Sequence, residues 1–215
     1  MSCDRRRAVL AAMLALSFGG CALMLWLALD LSPHAVRLDT SLYSELRAAN
    51  GSATASALVR LCNPTPFVYL AAVPVVIALA RRRLSLALGA AMIVAGAIVT
   101  AELLKSKLGV SHPTASGYGS YVRHSWPSGT VTAATALACS LALVAPARLR
   151  PAAGLLGAAF AAAVVGSVLR LGWHYPSDTA GGVLVALAWA ALTVAILFGC
   201  RPGQVDTVSQ RWMRD

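Results

Sequence analysis

The sequence predicts an all-α fold: a bundle of six transmembrane helices with a functional site at its extracytoplasmic end. Of the 215 residues, 58% are hydrophobic and 12% are charged, whereas a soluble domain carries about 25% charged residues. The mean hydropathy is +0.71, and the apolar residues fall in long uninterrupted runs. These observations exclude a soluble globular protein and predict a single integral membrane domain over residues 1–215.

The apolar runs define the predicted spans, since a helix needs roughly 17–25 mainly apolar residues to cross a bilayer. In chain order they are residues 8–29, 67–80, 84–104, 128–145, 152–171 and 179–199. The second run is short, and it reaches sufficient length if its helix begins near residues 61–64. The fourth and fifth runs are rich in Ala, Gly and Ser, which allows close helix packing in lipid.

The segment between the first two spans, residues 30–61, mixes polar and apolar side chains. Helical spacing relates two sets of residues: Leu38, Leu42, Leu46 and Ala49, and then Ala55, Leu58 and Cys62. This pattern predicts short amphipathic segments on the outer membrane surface. They form either a simple cover over the bundle or a lipid-facing gate. His34 in the same segment matches no motif and is expected to be a surface residue.

The N-terminal run resembles a secretory signal, because three arginines precede an apolar stretch that reaches Cys21. The apolar run continues to residue 29, so we expect an uncleaved first span. The cysteines number five, an odd count, and show no metal-like spacing. We therefore expect packing residues, with no disulfide framework and no metal site.

The basic residues predict the orientation of the bundle, because Lys and Arg concentrate on the cytoplasmic side. Eleven fall on one side: Arg5, Arg6, Arg7, Arg81, Arg82, Arg83, Arg148, Arg150, Arg201, Arg211 and Arg214. Seven fall on the other: Arg37, Arg47, Arg60, Lys105, Lys107, Arg123 and Arg170. Both termini, including a short tail at residues 200–215, are therefore predicted to be cytoplasmic. We expect the residues behind the net charge of +10 to contact anionic lipid headgroups or phosphates. No nucleic-acid partner is expected.

Three polar clusters on the predicted extracytoplasmic side carry the candidate chemistry. The first runs from Lys105 through Lys107 to His112 and Pro113, just after the third span. Two lysines and a histidine at a membrane interface can hold an anion. The lysines can equally anchor the helix end to headgroups, and this segment alone does not separate the two interpretations.

The second cluster covers residues 123–130 and opens the fourth span. Pro127 can start a helix, Ser128 can serve its first turn, and Gly129 allows close backbone approach. The free amides of such a helix start suit a phosphate group, and Thr130 adds a hydroxyl donor. Many helices that bind nothing begin in the same way, so the pattern is weak by itself.

The third cluster leads from Arg170 to His174 and Asp178, between the fifth and sixth spans. A neutral imidazole can attack phosphorus when a carboxylate holds its other ring nitrogen. Pro176 favours a turn followed by a helix start, which also makes Asp178 a candidate cap of the sixth span. Two interpretations therefore remain open: His174 is a nucleophile and Asp178 its partner, or Asp178 is only a helix cap.

Taken together, the order of the clusters resembles the type 2 phosphatidic acid phosphatase superfamily of membrane lipid phosphatases. That family carries a lysine followed after six residues by arginine and proline, and then a Pro-Ser-Gly-His run. Lys105 and His112 fit the first motif, with histidine in the arginine position. The run from Pro127 to Gly129 fits the second motif, with Thr130 in the histidine position.

The family's third motif is a Ser-Arg pair followed after five residues by histidine and after three more by aspartate. Ser167, His174 and Asp178 fit this spacing, whereas Val168 occupies the arginine position and Arg170 lies two residues later. The motif region covers residues 103–182, and the six-span layout matches the family's. The resemblance implies a site at the extracytoplasmic face.

The resemblance further implies a two-step phosphoryl transfer from a lipid phosphate in the membrane, without metal or organic cofactor. His174 would become a phosphohistidine, and Asp178 would fix its tautomer. The phosphate-binding residues would be Lys105, His112, Ser128, Gly129, Thr130 and Arg170, with Arg123 and His124 as further candidates. No obligate protein partner is inferred.

The departure at Thr130 affects the expected substrate, because a threonine hydroxyl is not a useful general acid near neutral pH. General acid catalysis contributes about 10²–10⁴-fold, and a diphosphate needs it less because phosphate is a better leaving group than an alkoxide. A lipid diphosphate such as a polyprenyl diphosphate is therefore the expected substrate class. The alternatives are an impaired member of the fold that binds lipid phosphates without turnover, and a transporter-like bundle. Charged or broken helices would favour a transporter, and the candidate features, Glu102 and Pro74, do not suffice for it.

Overall fold

The structure is a computed structural model that describes residues 3–47, 52–110 and 125–199. The elements in these ranges are eight α-helices. They are α1 (Cys3–Leu31), α2 (Pro33–Leu46), α3 (Ala53–Arg60), α4 (Pro64–Ala80), α5 (Leu84–Lys107), α6 (Gly129–Val144), α7 (Arg150–Arg170) and α8 (Pro176–Gly199). The all-α prediction is confirmed for the described residues.

Four of these helices, α1, α5, α7 and α8, are long and apolar enough to cross a membrane. The pair α3 and α4 passes the same test jointly, although the two helices are bent by 61° at the break between them. As expected, α4 begins close to residues 61–64, at Pro64. The fourth predicted span corresponds to α6, an apolar helix of 16 residues that is shorter than the four spanning helices. The described helices thus supply four or five spans, and the count of six stays a prediction.

The centre of the bundle is α6, which packs against α4, α5, α7 and α8. Eleven of its 16 residues are buried, most of them alanine or another small residue. Small side chains allow neighbouring helices to approach closely. At Gly157 of α7, for example, an added Cβ would lie only 2.9 Å from the Cβ of Ala138. α6 is therefore packed closely against its neighbours.

The outer helices expose apolar surface. α1 packs along α8, and its other faces carry exposed large side chains that include Leu10, Met13 and Leu16. Such a surface suits lipid, since each of these side chains would be costly in water. The chain is accordingly a multi-pass membrane protein.

The segment between α1 and α4 forms two short helices, in agreement with the amphipathic pattern of the sequence. Ser32 caps α2 and Ser52 caps α3, each through a side-chain oxygen that accepts an amide hydrogen. Leucines 38, 42 and 46 of α2 are exposed, whereas Asp39 is buried. Ala49 lies outside the described residues. α3 packs on α7 through its buried Ala55 and Val59.

The two ends of the bundle differ in chemistry. At one end, Arg81 Nη1 donates a hydrogen bond of 2.6 Å to the carbonyl of Val144, and Arg83 and Arg150 line the same cleft. From α5 to α8, each helix runs antiparallel to the one before it. The opposite end of the bundle therefore holds the last turns of α5 and α7 and the first turns of α6 and α8. That end carries the candidate chemical residues.

Candidate active site

His174 lies in a tight turn between α7 and α8. The turn leaves α7 through Gly172, which has φ +66°, and α8 begins at Pro176. Proline suits the first helical position because its missing amide hydrogen would have no partner there. His174 Nδ1 lies 3.3 Å from Asp178 Oδ2, and the histidine side chain keeps 17% of its surface exposed.

Asp178 performs both tasks that its sequence position suggests. Its Oδ2 accepts the backbone amide of Tyr175 at 3.0 Å, so the carboxylate reaches back to the residue that precedes α8, as in a capping box. The same oxygen contacts the imidazole of His174. The carboxylate is completely buried, and Oδ1 has no hydrogen-bond partner among the described residues. The helix cap therefore orients the histidine, and the two interpretations describe one arrangement.

The first turn of α6 is joined directly to this pair. Ser128 caps α6 through its hydroxyl, which accepts the amide of Val131 at 3.4 Å. Its own amide donates to the backbone carbonyl of Asp178 at 2.9 Å. Gly129 and Thr130 occupy the first two helical positions, where amide hydrogens have no acceptor inside the helix.

Two glycines in α8 make this contact possible. An added Cβ on Gly182 would lie 2.7 Å from the carbonyl oxygen of Ser128, and one on Gly181 would lie 2.5 Å from Trp126 Nε1. Neither position has room for a methyl group. Glycine at both sites lets the start of α6 lie against α8 at the level of Asp178.

Lys105 brings a positive charge to the start of α6. Its ammonium forms a 2.6 Å ion pair with Glu102, one turn earlier in α5. An added Cβ on Gly129 would lie 2.7 Å from Lys105 Nζ and 3.1 Å from Glu102 Oε1. The space beside Gly129, which the sequence assigns to a ligand, therefore holds the lysine and its carboxylate partner.

The remaining predicted residues are less closely connected to this cluster. Thr130 is half-buried in the first turn of α6, next to Gly129. Arg170 is exposed in the last turn of α7 and forms no ion pair or hydrogen bond through its guanidinium within the described residues. His112, Arg123 and His124 lie outside the described residues.

Sequence reasoning missed three neighbours of the site. Asp39 and Tyr43 of α2 contact the turn around His174, and Glu102 pairs with Lys105. The available signals were a lone carboxylate within an amphipathic segment, a tyrosine four residues later, and an acidic residue three positions before Lys105.

The chemical capacity of the site follows from these contacts. An imidazole held at one ring nitrogen can act as a nucleophile through the other. A helix start with a neighbouring ammonium can bind an anion. Among the described residues, no group of three or more His, Cys, Asp or Glu side chains is arranged to hold a metal ion.

Comparison with known proteins identifies the family of the chain. The model of the PAP2 superfamily matches residues 8–202, which include every helix from α2 to α8 and most of α1. Comparisons with curated proteins and with solved structures found no match. Since the matched region is nearly the whole chain, this multi-pass membrane protein belongs to the PAP2 superfamily, whose members are generally phosphatases.

Proposed function

We propose that the protein is a membrane lipid phosphatase that hydrolyses a lipid phosphate or polyprenyl diphosphate through a phosphohistidine at His174. One observation carries the proposal: Asp178 contacts both halves of the site. Its side chain contacts the imidazole of His174, and its backbone carbonyl accepts the amide of Ser128. The nucleophile is thereby held in a fixed relation to the anion-binding start of α6.

The first step transfers the phosphoryl group to the protein. With the proton on Nδ1 facing Asp178, the lone pair on Nε2 of His174 attacks phosphorus. The N–P bond forms as the P–O bond to the lipid breaks, and the leaving oxygen departs with the bonding electrons. Lys105 and the first-turn amides of α6 stabilise the charge on the phosphoryl oxygens.

The second step restores the enzyme. A water molecule attacks the phosphohistidine, the N–P bond breaks, and inorganic phosphate leaves. Throughout, the carboxylate of Asp178 stabilises the positive charge that develops on the ring. No metal or organic cofactor takes part in either step.

The substrate class follows from Thr130, which occupies the position of the family's general acid. Without that acid the leaving oxygen must depart largely unprotonated. The phosphate of a diphosphate tolerates this better than an alkoxide does, and the proposed preference is therefore for lipid diphosphates. Faster cleavage of phosphatidic acid than of a polyprenyl diphosphate by the purified protein would refute it.

The proposed location is the cell membrane, with both termini cytoplasmic and the site extracytoplasmic. Support comes from the separation of charges along the bundle. The clustered arginines that include Arg81 and Arg150 lie at the end opposite His174, and clustered arginines favour the cytoplasmic side. Labelling of Lys107→Cys, but not of Arg148→Cys, by a membrane-impermeant maleimide in intact cells would agree with this orientation.

The central experiment measures phosphate release in detergent from a lipid monophosphate and a polyprenyl diphosphate. The variants are wild type, His174→Ala and Thr130→His. His34→Ala is the matched control, since His34 is an exposed histidine of α2. The mechanism is supported if His174→Ala loses turnover, His34→Ala retains it, and the wild type forms a labelled phosphohistidine. Turnover that is indifferent to His174 refutes it.

The alternative function is binding of lipid phosphates without turnover. It is favoured by the threonine at position 130, because turnover depends on a general acid whereas binding does not. An inactive wild type that gains turnover in Thr130→His would favour this alternative.

A further inference from the structure

One face of α2 is directed at the turn that carries His174. Asp39 and Tyr43 of α2 and Arg47, the residue that caps its C-terminus, follow one another at intervals of four residues, and this spacing places them in one row along the helix. Each of the three contacts the segment from Gly172 to Ser177. The segment lies more than 120 residues away in sequence, as the separation of 129 residues between Tyr43 and Gly172 shows.

Asp39 holds the C-terminal side of this segment. Its Oδ1 accepts the amide of Ser177 at 3.0 Å, and its Oδ2 accepts the Ser177 hydroxyl. Asp39 is only 7% exposed. Because Ser177 lies in the first turn of α8, the carboxylate sits at the positive end of that helix, where a negative charge is favourable.

Tyr43 contacts both sides of His174, and Arg47 contacts the N-terminal side. The ring of Tyr43 stacks on Tyr175 with 4.4 Å between centroids, and its hydroxyl donates to the carbonyl of Gly172 at 3.0 Å. Arg47 covers Gly172, where an added Cβ would meet Arg47 Cδ at 2.9 Å. With φ at +66°, Gly172 also needs glycine for its backbone conformation.

These contacts lie on both sides of His174 in the chain. Gly172 precedes the histidine, and Tyr175 and Ser177 follow it. We infer that α2 is a positioning element that sets the direction of the His174 imidazole through Asp39, Tyr43 and Arg47. The inference rests on the proposed function, since the imidazole needs this alignment to attack phosphorus.

The physical reason is the sensitivity of an in-line attack to geometry. A displacement of about 1 Å can cost about 100-fold in rate, so the anchors of the turn matter. Within the turn, the Tyr175 amide bonds to Asp178, and the Gly172 and Trp173 amides bond back to α7. The contacts from α2 come from a different part of the chain and restrain the turn as a whole.

The test compares Asp39→Ala and Asp39→Asn with Glu45→Gln in the full chain in detergent. Glu45 is an exposed carboxylate of the same helix and is the matched control. For Asp39→Ala we expect kcat to fall about 10- to 100-fold with KM within about twofold of wild type. Asp39→Asn keeps an oxygen that can accept the Ser177 amide, so it should retain more of the rate.

A second measurement does not depend on turnover. Hydrogen–deuterium exchange of the peptide covering residues 172–178 should accelerate in Asp39→Ala and stay at the wild-type rate in Glu45→Gln. A kcat for Asp39→Ala equal to that of Glu45→Gln, despite faster exchange, overturns the positioning role alone. A wild type that releases no phosphate while this peptide is protected overturns the proposed function instead.

Discussion

Replacement of Gly182 by alanine tests the contact on which the site depends. The new methyl carbon would lie 2.7 Å from the Ser128 carbonyl oxygen and 3.0 Å from Thr132 Oγ1. Neither oxygen can move freely, because the Ser128 carbonyl accepts both the Thr132 amide at 2.9 Å and the Thr132 hydroxyl at 2.8 Å. The substitution must therefore separate α8 from the start of α6.

The magnitude can be isolated with Gly166→Ala as the matched control. Gly166 lies in α7, and an added Cβ there has nothing within 4 Å. Both substitutions gain helix propensity of about 0.8–1.0 kcal/mol, but only Gly182→Ala suffers overpacking, which costs about 1–3 kcal/mol. Subtraction removes the propensity contribution, so the two variants should differ in free energy of unfolding by about 1–3 kcal/mol.

The assay is thermal unfolding of the purified chain in detergent. For a protein of this size about 1 kcal/mol corresponds to about 2–4 °C in Tm, so Gly182→Ala should melt about 2–12 °C below Gly166→Ala. Phosphate release should fall in Gly182→Ala as well, because the bond between the Ser128 amide and the Asp178 carbonyl lies beside the substitution. Equal Tm values for the two variants would refute the proposed packing.

Three further predictions address single contacts. Asp178→Asn leaves an amide group buried where Oδ1 has no partner among the described residues. Thermal unfolding should show a free energy of unfolding lower by about 1–3 kcal/mol, and the phosphate-release assay should show a lower kcat. Lys105→Gln should weaken inhibition by inorganic phosphate about 10-fold or more, since a hydrogen bond to a charged group contributes about 1.5–3 kcal/mol. The control Lys107→Gln, at an exposed position, should leave the inhibition constant unchanged. Equal inhibition constants for the two variants would contradict the assignment of Lys105. Arg81→Ala removes the 2.6 Å hydrogen bond to the Val144 carbonyl. It should lower the free energy of unfolding by about 1 kcal/mol and leave KM unchanged. A changed KM would show that the two ends of the bundle are coupled.

The positions of the long helices could be predicted from sequence because the length of an apolar run is a local property. The run at residues 84–104 became α5, which extends three residues further to Lys107 because lysines are good helix formers. The run at residues 128–145 became the shorter α6. The first and last residues of the run, Ser128 and Ala145, have extended backbone and cap the helix. Hydrophobicity alone does not distinguish caps from helical residues.

The candidate site was predictable where its residues are neighbours in sequence. His174 and Asp178 lie four positions apart, and their contact needs only a turn and one helical turn. The bond between Asp39 and Ser177 joins residues 138 positions apart, and only the packing of α2 brings them together. Likewise, the position of Lys105 beside Gly129 depends on how α5 packs against α6.

The shortness of α6 has a consequence for how deep the substrate must reach. Sixteen residues span about 24 Å, against about 30 Å for the hydrocarbon core of a bilayer. The last carbonyls of α6 lie level with Arg81, at the boundary of that core when the arginine meets headgroups there. With α6 along the bilayer normal, its first turn would then lie about 6 Å beneath the opposite boundary. Under the proposed function, we expect the phosphate of a lipid to reach this recessed site while its hydrocarbon tail stays in the bilayer.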